Sequence, residues 1–487
     1  MLGSPSIGIA QFQFTEGCSH AYSLVFDLQF KQASDALNRE KQRMPVNHMI
    51  PLIENYIDFL KVFISEDEAL FRSLYPNRQS RLKVLSQASD EDPMKRLALA
   101  VIQLQWAMVK LKFGQQLSAA WEIRSSFQLI AENISLFPDH LPNRIAMGVL
   151  YSIIGSIPPN YQWIIRLASM HGTVDGGSQM LIQVFEDCRK QVQWQPMQAE
   201  VLFYLTYIEI NLRPDKTNAK RLIPLFETYD TLPYLLLYAK ANLKMHLGEN
   251  DAALNILNGR DRSVSRFPFA YLEYLTAECY LRKLQTQKAE VHYRRFLRES
   301  TGKNYLADAQ RKIAWSRLLQ GSEDDYTHEI SLILANHADE VDADKQALRE
   351  RYHGLIPDIK LLQARLLFDG GYYDDAAEAL LAVDNTNKLT ASRKVEYYYR
   401  LARIRHEQNI LSEAKDLYRI TVLEGRNLPE FYAANAALKL GEIFESMGNM
   451  VLSEQYYTTC LTISPEEYRT SIHLKAKAGL SRLKSMQ

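Results

Sequence analysis

Small and large apolar residues near the end of the chain recur at the spacing of two packed helices. Leu440, Gly441 and Phe444 share one helical face, and Gly448 with Asn449 marks a turn. A second helical face follows with the same mix of residues, made of Ser453, Tyr457 and Cys460 and ended by Pro465. Small residues let two helices approach closely, and large residues fill the space between them. The pattern therefore predicts a helix–turn–helix unit of about 34 residues.

The same pattern recurs upstream at nearly constant spacing. Each further unit pairs small residues with aromatic residues or leucines, as in Ala241, Gly248, Ala253 and Leu257, in Ala277, Tyr280, Ala289 and Tyr293, in Ala364, Leu367, Gly371, Ala376 and Leu380, and in Ala402, Ala414 and Tyr418. The leading small residues are 36 positions apart from 241 to 277, 38 from 364 to 402 and 39 from 402 to 441. The longer interval holds a weaker unit around Ala314 and an acidic spacer at residues 336–357. Five units in register predict a helical repeat protein.

This arrangement resembles the tetratricopeptide repeat, in which small residues stand at positions 8, 20 and 27 of each unit and an aromatic residue stands at position 24. Ser453 and Cys460 take places that alanine holds in that family, and both are still small. The resemblance implies an all-α fold, a superhelical solenoid of helix–turn–helix repeats. We assign the C-terminal array of such repeats to residues 201–487.

The first part of the chain carries a weaker form of the pattern. We assign residues 15–200 to a degenerate helical repeat region, and residues 1–14 to a disordered tip or the remnant of a signal peptide. Residues 50–63 predict a strongly amphipathic helix. Residues 138–180 are interrupted by glycine and proline, which predicts short and irregular apolar helices.

The interrupted segment contains a distinctive spacing of glycine, serine and proline, carried by Gly148, Ser156, Pro158, Pro159, Leu167, Gly172 and Gly177. This spacing resembles the tetratricopeptide-repeat family 39 of eukaryotes and the related fungal inclusion-body-clearance proteins. The specific motifs cover about residues 95–260, and only the generic repeat is shared beyond them. The resemblance implies a fold and little chemistry.

Charge and composition limit the chemistry that the chain can perform. The 57 Lys and Arg residues balance the 57 Asp and Glu residues, so the chain lacks the positive charge expected of a nucleic-acid binder. The four cysteines are widely spaced and indicate buried helical thiols rather than disulfides or a zinc site. His328 and Glu329 begin a zinc-protease motif, but Leu332 replaces its second histidine.

The glycine-rich stretch at residues 172–177 resembles a phosphate-binding loop only in its glycine content. It lacks the Lys and Ser or Thr that such a loop needs, so it predicts a turn between two helices. The sequence thus predicts no metal site, no cofactor and no catalytic residue. A helical-barrel hydrolase with paired carboxylates stays open as a third possibility.

A binding surface is expected on the first helix of each repeat. In tetratricopeptide repeats, positions 2, 5, 9, 12 and 13 line the concave face, and Tyr and Arg are common anchors of protein interfaces. These positions give the candidate partner-binding residues Tyr271, Tyr274, Arg282, Arg365, Phe368, Tyr399, Arg403 and His406. The Lys and Asn of the chaperone carboxylate clamp are absent, so we exclude docking of chaperone C-termini. We predict a non-catalytic scaffold or adaptor for a protein or peptide partner.

A membrane-associated role is the main alternative. Residues 145–168 combine aliphatic and aromatic residues with few charges, as in a peripheral segment that contacts lipid or a membrane partner. The chain as given predicts a soluble cytoplasmic protein. A start site that lies too far downstream would instead suggest a periplasmic or cell-envelope protein. We also expect Tyr274→Ala with Arg403→Ala to leave folding nearly intact while weakening partner binding.

Overall fold

The computed structural model describes residues 12–157, 170–213, 215–262, 265–334, 341–354, 356–383, 386 and 389–485. The first helices are α1 (Glu16–Phe26), α2 (Phe30–Arg43), α3 (Met49–Ser65), α4 (Glu68–Leu85), α5 (Pro93–Lys112), α6 (Gln116–Leu136), α7 (Pro142–Ser156), α8 (Val174–Lys190), α9 (Gln198–Tyr207), α10 (Lys216–Lys220), α11 (Ile223–Phe226), α12 (Tyr234–His246) and α13 (Asn250–Asn258). They are followed by α14 (Tyr271–Arg282), α15 (Thr286–Glu299), α16 (Leu306–Leu319), α17 (Glu323–Ser331), α18 (Asp342–His353), α19 (Ile359–Gly370), α20 (Tyr373–Leu381), α21 (Ala391–Glu407), α22 (Leu411–Gly425), α23 (Tyr432–Ser446), α24 (Met450–Thr462) and α25 (Arg469–Ser485). The described residues form no strand, which confirms the all-α class.

The chain divides into two compact units. Unit 1 comprises Met1–Ala277, Glu290–Lys312 and Leu332–Arg349. Unit 2 comprises Glu278–Ala289, Ile313–Ser331 and Glu350–Gln487. The division at residue 200 that we drew from the sequence stays a prediction.

Tight turns with left-handed backbone join the two helices of the predicted hairpins. Gly248, Gly371 and Gly448 have φ values of 78°, 84° and 74°, a conformation that costs glycine little because it has no Cβ. At equivalent turns Leu284 and Asn409 adopt φ values of 57° and 61°. The three glycines expected at the turns therefore lie just beyond the end of the first helix, and Leu284 and Asn409 take that place in two other hairpins.

Close packing of helices around small residues is clearest in the last hairpin, α23 and α24. A Cβ atom on Gly441 would lie 2.5 Å from Cδ1 of Tyr457, so only glycine fits against this buried ring. Gly479 of α25 lies at the opposite edge of the same ring. Ser453 donates a hydrogen bond to the Gly441 carbonyl at 2.9 Å. These contacts confirm the helix–turn–helix unit and the close packing of its two helices around small residues.

The interrupted segment also uses glycine for a close helix crossing. A Cβ on Gly148 of α7 would lie 2.8 Å from Cγ of Leu181, and one on Gly177 of α8 would lie 2.9 Å from the Ser152 backbone nitrogen. Gly176 and Gly177 belong to the first turn of α8, which Thr173 caps, so only the start of residues 172–177 is a turn. Pro158, Pro159 and Leu167 lie outside the described residues.

Residues 12–14 are packed rather than free. Asn47 accepts a hydrogen bond from the Gln13 backbone N–H at 3.0 Å and donates one to the Gln13 carbonyl at 2.7 Å. Phe12 is buried beside His48, with their rings 5.3 Å apart. These contacts correct the expectation of a disordered tip for residues 12–14, and residues 1–11 lie outside the described part of the chain.

The stretch expected to be an acidic spacer contains a helix, α18. Asp344 of this helix is buried, and its carboxylate accepts hydrogen bonds from the backbone N–H groups of Tyr305 and Asp308 at 2.6 and 2.8 Å. The carboxylate therefore caps the N-terminus of α16, where backbone donors lack partners within the helix. The acidic residue serves packing within unit 1.

Candidate functional site

Position 5 of the repeats lies in the core of this protein. Its four occupants, Tyr274, Leu361, Tyr399 and Leu438, are each between 1% and 4% exposed. We therefore correct the expectation that Tyr274 and Tyr399 face solvent. The rings of both tyrosines pack into the core, so a partner would contact the residues beside them rather than the rings.

Position 9 is partly exposed in the same four repeats, where it holds Glu278, Arg365, Arg403 and Glu442. Position 12 is partly exposed in unit 2 at Phe368 and His406. In unit 2 these two positions combine arginine with aromatic residues. We call Arg365, Phe368, Arg403 and His406 the arginine–aromatic surface.

Arginine side chains of this surface lie over aromatic rings. The Arg403 guanidinium of α21 is 4.0 Å from the ring centroid of Phe368 on α19, and it is 5.8 Å from that of Tyr399. The Arg365 guanidinium is 4.9 Å from the ring of Trp315. A guanidinium within about 6 Å of a ring centroid is attracted to the ring face. These contacts fix the direction of both arginines across consecutive hairpins.

Neither arginine of the surface forms an ion pair with the residues that the structure describes. The neighbouring Arg400 instead pairs with Glu396 through its Nε at 2.7 Å, and it is buried. Burial lowers the pKa of Arg400, but the Glu396 carboxylate outweighs it and raises that pKa. Arg365 and Arg403 therefore retain N–H donors for the carboxylate of a partner, whereas Arg400 already donates to Glu396.

His406 and Arg282 each contact a neighbouring helix of unit 2. The His406 Nδ1 atom is 3.4 Å from the Tyr418 hydroxyl oxygen, with the two rings perpendicular. Arg282 pairs with Glu278 at 3.7 Å, and its Cβ lies 3.1 Å from where a Cβ would stand on Gly370. Arg282 therefore packs against the end of α19.

Tyr271 and Tyr274 belong to an aromatic cluster in unit 1. Their rings stack at 5.2 Å, and Tyr305 lies 5.0 Å from each of them. The Tyr274 hydroxyl donates to the Asp308 carboxylate, and Lys312 Nζ lies 3.1 Å from the same hydroxyl. Burial would raise the pKa of Asp308, but Lys312 and Arg311 lower it below its usual value.

The four cysteine thiols are shielded from solvent. All four cysteines are buried and unbonded, and burial raises the pKa of Cys188 and of Cys460 to about 12. A thiol with so high a pKa is a poor nucleophile near pH 7. Within the described ranges, no three His, Cys, Asp or Glu side chains converge as a metal site would require.

Two buried carboxylates of unit 1 are satisfied by neighbours. Tyr22 and Tyr56 donate to Glu200, whose pKa is raised by burial despite these bonds. Glu273 is ringed by Arg260 and His292; although burial opposes ionisation, these partners lower its pKa to about 2. Both carboxylates are therefore held by contacts with neighbouring side chains inside unit 1.

The segment considered for membrane contact is partly described. Residues 145–156 lie in α7, where Ile145, Leu150 and Ile154 are buried in unit 1. Residues 158–168, with Tyr161 and Trp163, lie outside the described residues. No helix in the described part of the chain has both the length and the apolar character needed to span a bilayer.

Trp315 is a component of the site that the sequence analysis missed. It follows Ala314, the small residue of the weaker repeat, and so stands at position 9 of that unit. Its indole N–H donates to Glu350 at 2.7 Å, which leaves the ring face to Arg365. Counting one residue onward from Ala314 would have identified it.

Comparison with known proteins yields likenesses among solved structures only. No family model matches this sequence, and no curated protein matches it. Among 75 matching chains of solved structures is the TPR domain of P58(IPK), with 15% identity over 86% of this chain and 98% of that one, at a TM-score of 0.23. Another belongs to the APC/C hetero-tetramer Cut9–Hcn1, with 11% identity, 96% and 100% coverage, and a TM-score of 0.25. Likenesses this weak do not bear on what the chain binds. The resemblance to family 39 stays a prediction.

Proposed function

We propose that this chain is a non-catalytic scaffold or adaptor that binds a protein or peptide partner through the arginine–aromatic surface of unit 2. The observation that carries the proposal is the Arg403 guanidinium, half-buried at 4.0 Å from the Phe368 ring and without a carboxylate among the described residues. An arginine held in this way is already oriented for a partner. Pre-orientation lowers the entropy lost on binding.

The composition of this surface suits protein recognition. Arginine and aromatic residues contribute disproportionately to the binding energy of interfaces, chiefly where they are packed and partly desolvated. Arg365 and Arg403 extend the same chemistry over two consecutive first helices, α19 and α21. A peptide or loop that crosses both helices would meet two guanidinium groups and the Phe368 ring.

Charge reversal on the surface provides the test. We would cross-link and capture the full tagged chain from its own cell extract, beside the double variant Arg365→Glu/Arg403→Glu, and identify bound proteins by mass spectrometry. A matched control is Lys475→Glu/Lys477→Glu, which makes the same charge change at two exposed residues of α25. We expect the surface variant to lose a partner by about tenfold or more, and the control to retain it.

The opposite result has an equally definite meaning. Equal recovery of every partner by wild type, surface variant and control would show that binding does not use the arginine–aromatic surface. Circular dichroism spectra of the three proteins must agree, since the substituted residues are partly or fully exposed and should not affect folding.

A further inference from the structure

A groove of about 660 Å³ follows helix α3 in unit 1, between α2 and α4. Its floor is one face of α3, made of Ile50, Glu54, Ile57, Asp58 and Lys61. The volume lies within the range of ligand pockets in proteins. The walls are the second helices of two successive hairpins, whereas the arginine–aromatic surface is built from first helices. The groove is therefore a separate candidate site.

The acidic residues of the groove already have partners. Glu54 pairs with Lys41 of α2. Asp58 pairs with Arg81 of α4 at 2.7 Å and accepts a hydrogen bond from Asn77 at 2.9 Å. These contacts join α3 to both walls. They also neutralise both carboxylates, so neither is left to attract a cation.

Some polar groups of the groove have no partner in the described structure. Lys61 forms no ion pair there, and its Nζ lies 6.0 Å from the ring centroid of Phe30. The Arg81 Nη1 atom is buried and makes no hydrogen bond, and the same is true of Nδ1 of His48, a side chain only 9% exposed. A buried polar group without a partner costs roughly 1–3 kcal/mol. The groove therefore favours a ligand that brings acceptors.

Apolar surface is concentrated at one end of the groove. Val46 and Val84 are 73% and 43% exposed. Only Glu66 and Asp67 separate α3 from α4, and Asp58 pairs with Arg81, so the two helices run antiparallel. Val84 therefore lies toward the start of α3, and Lys61 lies toward its end. The groove thus changes from apolar to cationic along its length.

The length of the floor fits a short extended peptide. From Ile50 to Lys61 the helix advances 11 residues, or about 16 Å at 1.5 Å per residue. An extended chain covers the same distance in about five residues. The open side and the alternating chemistry suit a peptide segment better than a compact small molecule.

We propose that this groove binds an extended acidic peptide segment, with an apolar side chain between Val46 and Val84 and carboxylates facing Arg81 and Lys61. The proposal is independent of the surface in unit 2, since it rests on other residues and other helices. Lys61 supplies the unpaired charge, and Arg81 supplies the free N–H group next to its bond with Asp58.

The test uses the full chain and an array of immobilised pentapeptides that carry one leucine and four glutamates in every order. A matched array replaces each glutamate by glutamine. We expect retention of the wild-type chain on at least one glutamate order to exceed that on its glutamine match by about tenfold or more. Lys61→Glu should abolish this preference. Lys83→Glu is the control, because Lys83 is exposed on α4, which forms one wall, but does not line the groove.

A second comparison tests the apolar end. Val46→Ser changes an exposed loop residue, so the fold should persist. The wild-type chain should prefer a leucine peptide over its serine match, and Val46→Ser should lose that preference while keeping the preference for glutamate. No retention on the glutamate array, equal retention on glutamate and glutamine peptides, or equal losses in Lys61→Glu and Lys83→Glu would each overturn the proposal.

Discussion

Tyr274 in unit 1 and Tyr399 in unit 2 stand at the same position of their repeats and are buried alike, yet their polar partners differ. The Tyr274 hydroxyl donates to the carboxylate of Asp308. The Tyr399 hydroxyl instead accepts a hydrogen bond from the Asn435 amide at 2.7 Å. The repeat position therefore determines burial, whereas the polar partner, charged or neutral, depends on the neighbouring helix.

This difference changes what the surrounding cations do. In unit 1, Lys312 and Arg311 both pair with Asp308 and balance its charge inside the core. In unit 2, the Tyr399 hydroxyl is bonded to the Asn435 amide, and Arg403 is directed over Phe368. The neutral core contact in unit 2 is thus found beside an arginine that is directed over a neighbouring ring and forms no ion pair among the described residues.

The largest expected effect is common to both tyrosines. Tyr274→Ala and Tyr399→Ala should each lower the free energy of unfolding of their unit by about 3–5 kcal/mol, because each removes a buried ring. This replaces the expectation that Tyr274→Ala is nearly neutral for folding. Urea unfolding followed by tryptophan fluorescence measures it, with Arg403→Ala as a partly exposed control that should cost less than about 1 kcal/mol. A loss below 1 kcal/mol for either tyrosine would contradict its place in the core.

The charged network of unit 1 should give that unit a distinct pH dependence. Burial, reinforced by the Asp308 charge, raises the pKa of Asp344 from 3.8 to about 6, despite two N–H donors. Because the folded-state pKa lies above the unfolded one, stability is present below about pH 4 and is lost as the pH rises toward 6. The loss is roughly 2–3 kcal/mol.

Asp344→Asn isolates this contribution, since the amide does not ionise. Between pH 4 and pH 7, the variant should gain stability relative to wild type by that amount, measured as the difference between two series of urea titrations. Parallel pH profiles of the two proteins would show that Asp344 ionises in the fold without cost.

The apolar surroundings of Tyr399 should make unit 2 sensitive to volume. Ala414 of α22 is fully buried and packs in one cluster with Tyr399 and Ala402. Ala414→Leu adds three carbons at this close crossing and should cost roughly 1–3 kcal/mol. Scanning calorimetry would show a lower thermal midpoint for unit 2. An unchanged midpoint would refute the assignment of Ala414 to the second-helix position that faces its hairpin partner.

Local sequence patterns predicted the hairpins because the residues that form each hairpin lie close together along the chain. The left-handed turns at Gly371 and Gly448 favour glycine, because it has no Cβ, and the crossing at Gly441 requires it because a Cβ would meet the Tyr457 ring. Each of these requirements appears as a particular residue at a fixed distance from its partner along the chain. The repeat, its turns and its packing faces could therefore be identified from the sequence.

Contacts between distant residues could not be predicted in this way. Asp344 caps a helix that begins 38 residues earlier, and its acidic neighbours made the stretch look like a spacer. The sequence pattern assigned positions 5 and 9 to one binding face, but position 5 is buried, whereas position 9 is partly exposed at Arg365 and Arg403. Helical spacing alone gives the direction of a side chain; how deeply it is covered depends on the next hairpin.

The smallest effect separates the two tyrosines themselves. Tyr274→Phe leaves the buried Asp308 carboxylate without one donor and should cost about 1.5–3 kcal/mol, as for hydrogen bonds to charged groups. Tyr399→Phe removes a bond between neutral groups and should cost about 0.5–1.5 kcal/mol. Both variants keep the ring, so the difference of about 1 kcal/mol in the free energy of urea unfolding reports the hydrogen-bond partner alone.

Asp308→Asn should reduce the cost of Tyr274→Phe toward that of Tyr399→Phe, because both bonds would then be neutral. Equal costs for the two phenylalanine variants in the wild-type background would show that Lys312 and Arg311 satisfy Asp308 without Tyr274.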